Sequence, residues 1–242
     1  IMARELIVLD SAQAVALEGA RIFQDSALKA SQRNGKFTVA LSGGSTPKGM
    51  FQILAADPFK NGIPWDKCFI FWSDERSVGA EHPDSNYRMA NENLLSKVPI
   101  PAGNIFRMAG ESTDLKLAAK SYSEQIGRIS PDFSLDLIYL GMGSDGHTAS
   151  LFPHTNALRE NESWVIDNHV PKLNTNRLTF TYKMIQAAKK VVFLTCGKDK
   201  APAFKEVWQG KPNLEEYPSQ GITCPDTNCV WIVDREAAAL IQ

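Results

Sequence analysis

A short glycine-rich stretch with one acid and one histidine is the part of the chain most suited to chemistry. Segment 137–153 reads LIYLGMGSDGHTASLFP, and it places Asp145 and His147 directly after an apolar run. Tight glycine turns expose side chains at such a point, and a histidine near a carboxylate is a general-base arrangement. Two structural interpretations compete with this one. Asp-Gly is a common turn dipeptide, and the histidine could be a polar helix cap.

The same stretch has the G-x-G-x-x-G spacing of a dinucleotide-binding loop, in Gly141, Gly143 and Gly146. Such a loop opens a long helix and is followed by an acid about 20 residues later. Here Pro153 comes too soon for a long helix, and four predicted strands come first. We therefore expect no nicotinamide cofactor. We also expect no metal, because the histidines show no zinc-ligand spacing and H-E-x-x-H is absent.

A second loop, LSGGSTPKGMF at 41–51, could bind a phosphate group. It combines two glycines, three hydroxyl side chains and the start of a predicted helix, whose free N–H groups attract anions. The alternative is a plain strand-to-helix turn, and the Walker spacing is absent. The candidate residues are Ser42, Gly43, Gly44, Ser45 and Thr46. A phosphate there also needs cations from elsewhere, and Arg177 and Lys200, which lie at the ends of later strands, are the candidates.

A third polar group follows the apolar run CFIFW. Asp74, Glu75 and Arg76 come directly after it, and they are either functional groups or a solvated loop. Further on, HPDSNYRMA begins a predicted helix at 85–96. Asn86 in that segment could bind a substrate hydroxyl, although a role in the helix cap explains it equally well.

The elements that must position these loops alternate between strands and helices. We predict strands at 5–10, 37–42, 68–74, 135–141, 177–181, 191–197 and 229–234. We predict helices at 11–32, 47–56, 85–96, 112–129, 199–208 and 235–241. Several strands are apolar on both faces, which is typical of a parallel sheet covered by helices. The predicted fold is therefore α/β, in three layers, and residues 1–242 are predicted to form a single domain. Segment 153–176 receives no assignment.

Such a sheet binds its ligands beyond the carboxyl ends of the strands, where all these polar loops lie. The composition excludes several other partners. The net charge of −1, from 26 basic and 27 acidic residues, predicts neither nucleic-acid nor membrane binding. No apolar run approaches the roughly 20 residues of a membrane span, and the four cysteines form no C-x-x-C pair. We expect a cytoplasmic protein with reduced cysteines.

Taken together, LSGGSTPKGMF, FWSDER, DSNYRMA and GMGSDGHTASLFP resemble the 6-phosphogluconolactonase family, and RLTFT and GKDKA continue the match. The resemblance spans about residues 5–235 and implies a Rossmann-like three-layer fold and a monomer or weak homodimer. It implies cofactor-free hydrolysis of a small-molecule sugar-phosphate lactone, 6-phospho-D-glucono-1,5-lactone.

The resemblance also implies roles for individual residues. His147 is the general base, Asp145 orients it, and Asp74 positions sugar hydroxyls. Arg76 stabilises the oxyanion or binds substrate. The substrate and its phosphate are expected to contact Ser42, Gly43, Gly44, Ser45, Thr46, Asn86, Gly143, Arg177 and Lys200.

Two alternatives accompany this hypothesis. Glucosamine-6-phosphate deaminase belongs to the same superfamily and is similar in the SGG loop and the DGH core. It has a glutamate just before the closing proline, where this chain has Phe152, so the carboxylate that aldose–ketose chemistry needs is missing. The other alternative is a non-catalytic sugar-phosphate sensor. We expect no DNA-binding module here, and the presence of both Asp145 and His147 favours catalysis.

Overall fold

The structure is a computed structural model, and it describes residues 4–224 and 228–241. The strands are β1 Arg4–Leu9, β2 Phe37–Leu41, β3 Cys68–Trp72, β4 Asp74–Arg76, β5 Leu137–Leu140, β6 Val165–Val170, β7 Thr175–Phe180, β8 Lys190–Thr195 and β9 Asn228–Asp234. The α-helices are α1 Ala12–Asn34, α2 Ser45–Leu54, α3 Phe59–Gly62, α4 Asn86–Asn93, α5 Leu115–Ile129, α6 Tyr182–Gln186 and α7 Ala201–Gln209. Short 3-10 turns connect several of these elements.

The central element is a six-stranded sheet in the order β1-β9-β8-β5-β2-β3, with every neighbouring pair parallel. Its middle strands point successive apolar side chains into two different cores. On β5, Ile138 lies in the core with α5 and α7, and Tyr139 lies in the core with α1 and α2. On β8, Phe193 and Leu194 divide in the same way. Because both faces are covered, the prediction of a three-layer α/β fold with a mostly parallel sheet is confirmed.

The helix boundaries follow local capping chemistry. Ser11 Oγ accepts a hydrogen bond from Ala14 N (3.2 Å) and so begins α1 at the predicted place. Ser85 Oγ accepts from Arg88 N (3.1 Å) and begins α4. Such a side chain satisfies an amide that has no partner within its own helix. Asp114 caps α5 similarly, so that helix begins later than its predicted start at 112.

The predicted strand 68–74 is in fact two strands that belong to two sheets. Ser73 N donates to Leu41 O (2.9 Å) in the main sheet, and Ser73 O accepts from Phe180 N (2.8 Å) of β7. Ser73 thus joins β3 to β4, which starts a separate antiparallel sheet in the order β4-β7-β6. The predicted strand 177–181 corresponds to β7 of this second sheet. Segment 153–176, which received no assignment, contains β6.

The predicted helix at 235–241 is wrong, since the described residues there form hydrogen-bonded turns. Asp234 explains the difference. Its carboxylate accepts from Gly197 N (3.1 Å) and from Ala237 N (2.8 Å), which ties the chain to the end of β8. A segment this short also gains little from helix formation alone.

The segments that the structure describes contain no helix with both the length and the hydropathy needed to traverse a bilayer. No disulfide bond is present among the described cysteines, which are Cys68, Cys196, Cys224 and Cys229. That residues 1–242 form one domain stays a prediction.

Candidate active site

A cavity of about 390 Å³ lies at the carboxyl edge of the main sheet. The loops after β2, β5 and β8 line it, together with β4, the start of α4 and the β6–β7 hairpin of the second sheet. The thirteen site residues chosen from the sequence all line this cavity: Ser42, Gly43, Gly44, Ser45, Thr46, Asp74, Arg76, Asn86, Gly143, Asp145, His147, Arg177 and Lys200. The structure therefore brings them together, and their individual roles stay predictions.

One wall of the cavity is the start of α2. Gly44 takes φ 110° and ψ 168°, a conformation that side chains other than glycine rarely adopt. The first intrahelical bond runs from Lys48 N to Gly44 O (3.1 Å), and Pro47 has no N–H. The N–H groups of Ser45 and Thr46 therefore have no partner within the helix. Together with the positive end of the helix dipole, they can bind an anion.

Tight packing against α4 fixes the first half of that loop. A Cβ on Gly43 would lie only 2.0 Å from Asn86 Oδ1, so any other residue here would clash with the Asn86 side chain. Asn86 Nδ2 in turn donates to Asp74 O (2.9 Å). Ser42 Oγ is buried and has no hydrogen-bond partner among the residues that the structure describes. Asn86 is therefore a positioning group for the loop as well as a lining residue.

Two arginines that line the cavity lie side by side. Arg76 and Arg177 are directly paired across β4 and β7, so their side chains lie on the same face of the second sheet. Arg76 Nη1 donates to Asp84 O (2.6 Å), and Arg177 Nη1 donates to Thr175 Oγ1 (3.1 Å). In the described part of the chain, neither has a carboxylate within 4 Å.

Burial, followed by the positive charge of Arg76, lowers the pKa of Arg177. Two like charges side by side repel each other unless an anion lies between them. The pair is therefore a strong candidate for an anion site. Lys200 adds a third cation, although its Nζ is 3.1 Å from Asp199 Oδ2 and is partly neutralised there.

Asp145 and His147 form a hydrogen-bonded dyad at the end of β5. His147 Nδ1 lies 2.5 Å from Asp145 Oδ1, and the other carboxylate oxygen accepts from Lys172 Nζ (3.1 Å). Burial opposes the charge of Asp145, but the bonds from His147 and Lys172 outweigh it and hold the pKa of Asp145 well below its usual range. An ionised carboxylate only accepts hydrogen bonds, so Nδ1 carries the proton and Nε2 is left as a base.

The imidazole is closely packed. Its ring stacks on Phe152, with centroids 4.0 Å apart and planes at 21°. A Cβ on Gly143 would lie 2.1 Å from the ring. Gly146, with φ 78°, turns the chain between the acid and the histidine. This turn explains why the stretch is rich in glycine, since one glycine makes room for the ring and another takes a left-handed conformation.

Asp74 is anchored deep in the cavity. Its Oδ2 accepts from Ser150 Oγ (2.7 Å), and only 7% of the residue is exposed. Ser150 N donates to Thr179 Oγ1 (3.1 Å), and Asn168 Nδ2 donates to Ser150 O (2.9 Å). This network ties the histidine-bearing segment to β4, β6 and β7. Asp74 can therefore present a fixed carboxylate to a sugar hydroxyl.

Glu75 points away from the cavity and has a structural role. It accepts from the backbone N–H groups of Arg76 and Asn86 (2.8 Å each) and of Tyr87 (2.9 Å), and from Ser85 Oγ (3.1 Å). Burial raises its pKa, although these backbone bonds oppose the shift. Because it holds the start of α4, Glu75 fixes Asn86 against the loop at 42–46.

Sequence reasoning missed several residues that line the cavity. Lys172 contacts the dyad but lies in the unassigned segment, and Phe152 was noted only for the glutamate it replaces. Ser150 lies in the GMGSDGHTASLFP stretch and Thr195 in the predicted strand 191–197, but neither was selected; Thr195 Oγ1 is buried with no partner among the described residues. Burial raises the pKa of the Cys196 thiol to about 11, which disfavours its thiolate. A place at the end of a strand was the available signal for Thr195 and Cys196.

The cavity therefore holds both groups that can bind an anion and a base that can take up a proton. The described residues, 4–224 and 228–241, include no group of three or more His, Cys, Asp or Glu side chains arranged to hold a metal ion.

Known proteins share both the sequence and the fold. The model of the glucosamine-6-phosphate isomerases/6-phosphogluconolactonase family matches residues 10–231. A 6-phosphogluconolactonase of Nostoc sp. is 40% identical over 220 residues, which are 89% of this chain and 88% of that protein. One of Haemophilus influenzae is 36% identical over 87% of this chain and 90% of its own.

Among solved structures, a 6-phosphogluconolactonase of Trypanosoma cruzi superposes with a TM-score of 0.87 at 25% identity, over all of this chain and 98% of that one. The family match covers most of the chain, and both bacterial relatives are well above 30% identical over most of their length. The chain therefore belongs to the family of glucosamine-6-phosphate isomerases and 6-phosphogluconolactonases.

Proposed function

We propose that this protein hydrolyses 6-phospho-D-glucono-1,5-lactone to 6-phospho-D-gluconate, the lactonase step of the oxidative pentose phosphate pathway. The observation that carries the proposal is one cavity with the His147–Asp145 dyad and the paired Arg76 and Arg177 in its walls. Such a cavity suits a substrate with a phosphate at one end and a hydrolysable ester at the other. The names of the Nostoc and Haemophilus relatives agree with this class of hydrolase.

In the proposed mechanism, His147 Nε2 accepts a proton from a water molecule as that water attacks the lactone carbonyl. Asp145 stabilises the imidazolium that forms and keeps the ring in the required tautomer. The tetrahedral intermediate then collapses and expels the ring oxygen, which takes the proton back from His147 and becomes a hydroxyl. A positioned base contributes about 10²–10⁴-fold, or roughly 3–5 kcal/mol.

The phosphate is assigned to the start of α2 and to the cations around it. Ser45 and Thr46 offer N–H groups and hydroxyls, and Arg177 and Lys200 supply charge. Arg76 lies beside Arg177. We assign Arg76 to substrate binding. Holding the substrate at its phosphate places the lactone carbonyl over the dyad, which adds a proximity term to catalysis.

The proposal includes a reaction without metal or organic cofactor, in a cytoplasmic monomer or weak homodimer. A lactone is an activated ester, so a positioned base and a bound phosphate supply sufficient help. The product can be identified by ¹³C NMR, which distinguishes the open-chain acid from the lactone. We expect the acid to form equally fast with and without excess EDTA. Lactone that disappears no faster than in buffer would overturn the proposal.

Gly143→Ala is expected to lower kcat by about 10²-fold, because a displaced catalytic group loses most of its effect. The added Cβ would lie 2.1 Å from the imidazole and force His147 away from Asp145. Gly141→Ala is the matched control, because nothing lies within 4 Å of a Cβ at that position. Steady-state kinetics and thermal midpoints of both variants check this. Equal kcat values for the two variants would contradict the proposed ring position.

The protein is expected to release no ammonia from glucosamine 6-phosphate. Phe152 fills the place of the deaminase glutamate, is 7% exposed and stacks on His147, so no carboxylate is available there for ring opening. Phe152→Glu alone is expected to stay inactive, since the other groups of the cavity must also fit. An ammonia assay over hours with purified protein measures this, and release above the blank would show that the deaminase alternative is correct.

A further inference from the structure

Lys172 contacts the Asp145–His147 dyad through the carboxylate oxygen of Asp145 that His147 does not use. Its Nζ lies 3.1 Å from Asp145 Oδ2, whereas His147 Nδ1 contacts Oδ1. We propose that Lys172 is a positioning residue for the proposed hydrolysis: it shares Asp145 with His147 and fixes the carboxylate that orients the imidazole. The inference rests on the proposed function only where it refers to hydrolysis; the effect on His147 can be measured without turnover.

The turn that carries Lys172 is built to hold it near the dyad. Strands β6 and β7 pair up to Val170 and Thr175, which leaves a four-residue turn between them. Pro171 begins a 3-10 turn, and Asn174 ends it in the left-handed conformation, with φ 46° and ψ 47°. Proline restricts φ and asparagine tolerates that conformation better than most residues, so both favour this one turn geometry.

The hairpin is also fastened to the segment that bears the histidine. Asn168 on β6 is 3% exposed, and its Nδ2 donates to Ser150 O (2.9 Å) and to Thr155 Oγ1 (3.1 Å). Ser150 lies three residues after His147 in the chain. The backbone of the turn is therefore fixed relative to the dyad, although the Lys172 side chain itself is 71% exposed.

The charges around the dyad give the direction of the effect. The other charged residues that line the cavity are Asp74, Arg76, Arg177 and Lys200. A neighbouring cavity, which Asp145 and Lys172 also line, adds the titratable residues His154, Glu206 and Glu216. Among the described residues, Lys172 is the only lysine or arginine that has a side-chain nitrogen within 4 Å of the Asp145 carboxylate. A carboxylate shared with an ammonium stabilises a neighbouring imidazolium less than an undivided carboxylate does. Lys172 thus favours the neutral ring, which is the form that acts as a base.

The effect is expected to be modest, because an exposed ammonium is screened by water and salt. Lys172→Met is expected to move the titration midpoint of the His147 ring signals up by about half a pH unit. The acid limb of kcat/KM should move by the same amount, so that activity well below the midpoint falls about threefold. NMR titration of the free protein and pH profiles with the lactone measure the two shifts.

Two controls make the test specific. Lys172→Arg keeps the charge and is expected to keep the wild-type midpoint. Lys29→Met removes a lysine of similar exposure that is paired with Asp25 (2.8 Å) on α1, so it controls for the change in net charge alone. Raising the salt concentration should move the midpoint of the wild type towards that of Lys172→Met.

An unchanged His147 midpoint in Lys172→Met would overturn the proposal. So would a higher KM without any shift, which would make Lys172 a substrate ligand instead. A shifted midpoint in a protein that fails to hydrolyse the lactone would support the role of Lys172 and count against the proposed function. The two claims therefore fail separately.

Discussion

Replacing His147 with alanine is expected to lower kcat for 6-phosphogluconolactone by about 10²–10⁴-fold while KM changes little. The substitution removes the group that takes the proton from water, and it leaves the phosphate-binding groups in place. The fold should persist, because the His147 side chain is 27% exposed and lies at the edge of the cavity. Kinetics corrected for spontaneous hydrolysis, with a thermal midpoint for each protein, measure the effect.

His169→Ala is the matched control for this experiment. His169 is an exposed histidine on β6 whose Nδ1 lies 3.0 Å from Asn176 Oδ1, and it does not line the cavity. Its loss is expected to leave kcat at the wild-type value. The kcat of Asp145→Asn should lie between those of His147→Ala and His169→Ala, because an amide can no longer hold the ring in the required tautomer. A near-normal kcat in His147→Ala would remove this residue from the mechanism.

Arg177→Ala is expected to lower kcat/KM for the phosphorylated lactone, with a loss of transition-state stabilisation of roughly 2–4 kcal/mol. This loss should exceed the loss caused by Lys200→Ala. Arg177 is half-buried beside Arg76, and a guanidinium can bind two phosphate oxygens at once. Lys200 is a point charge that already contacts Asp199. Initial rates at low substrate concentration for the two variants compare the losses directly.

The unphosphorylated lactone separates phosphate binding from support of the fold. With gluconolactone, Arg177→Ala should be nearly as active as the wild type. The thermal midpoint should stay the same or rise, because removal of Arg177 relieves its repulsion with Arg76. If Arg177→Ala lowers kcat/KM equally for the phosphorylated and the unphosphorylated lactone, Arg177 is not a phosphate ligand.

Much of the fold, and many of the residues that line the cavity, could be predicted because both depend on local sequence patterns. Apolar runs identified the strands of the main sheet, and parallel strands carry their carboxyl ends to one edge. Loops such as 42–46 and 141–147 therefore had to meet. The predictions of family and of a mostly parallel α/β fold are confirmed.

The remaining features depend on contacts between residues distant in the chain. Lys172 reaches Asp145 across 27 positions, and no local pattern in PKLNTN indicates that contact. The separate sheet β4-β7-β6 was missed because Ser73 changes sheets within one apolar run. The segment after Asp234 was predicted to be a helix, but the carboxylate of Asp234 holds it in turns.

The rate of acid release from freshly prepared 6-phosphogluconolactone tests the central claim most directly. The assay uses weakly buffered solution at pH 7, a pH indicator and purified wild-type protein, with His147→Ala beside it. We predict saturable proton release far above the spontaneous rate for the wild type, and release close to the spontaneous rate for the variant. Proton release by folded wild-type protein that does not exceed the rate in buffer alone would contradict the account.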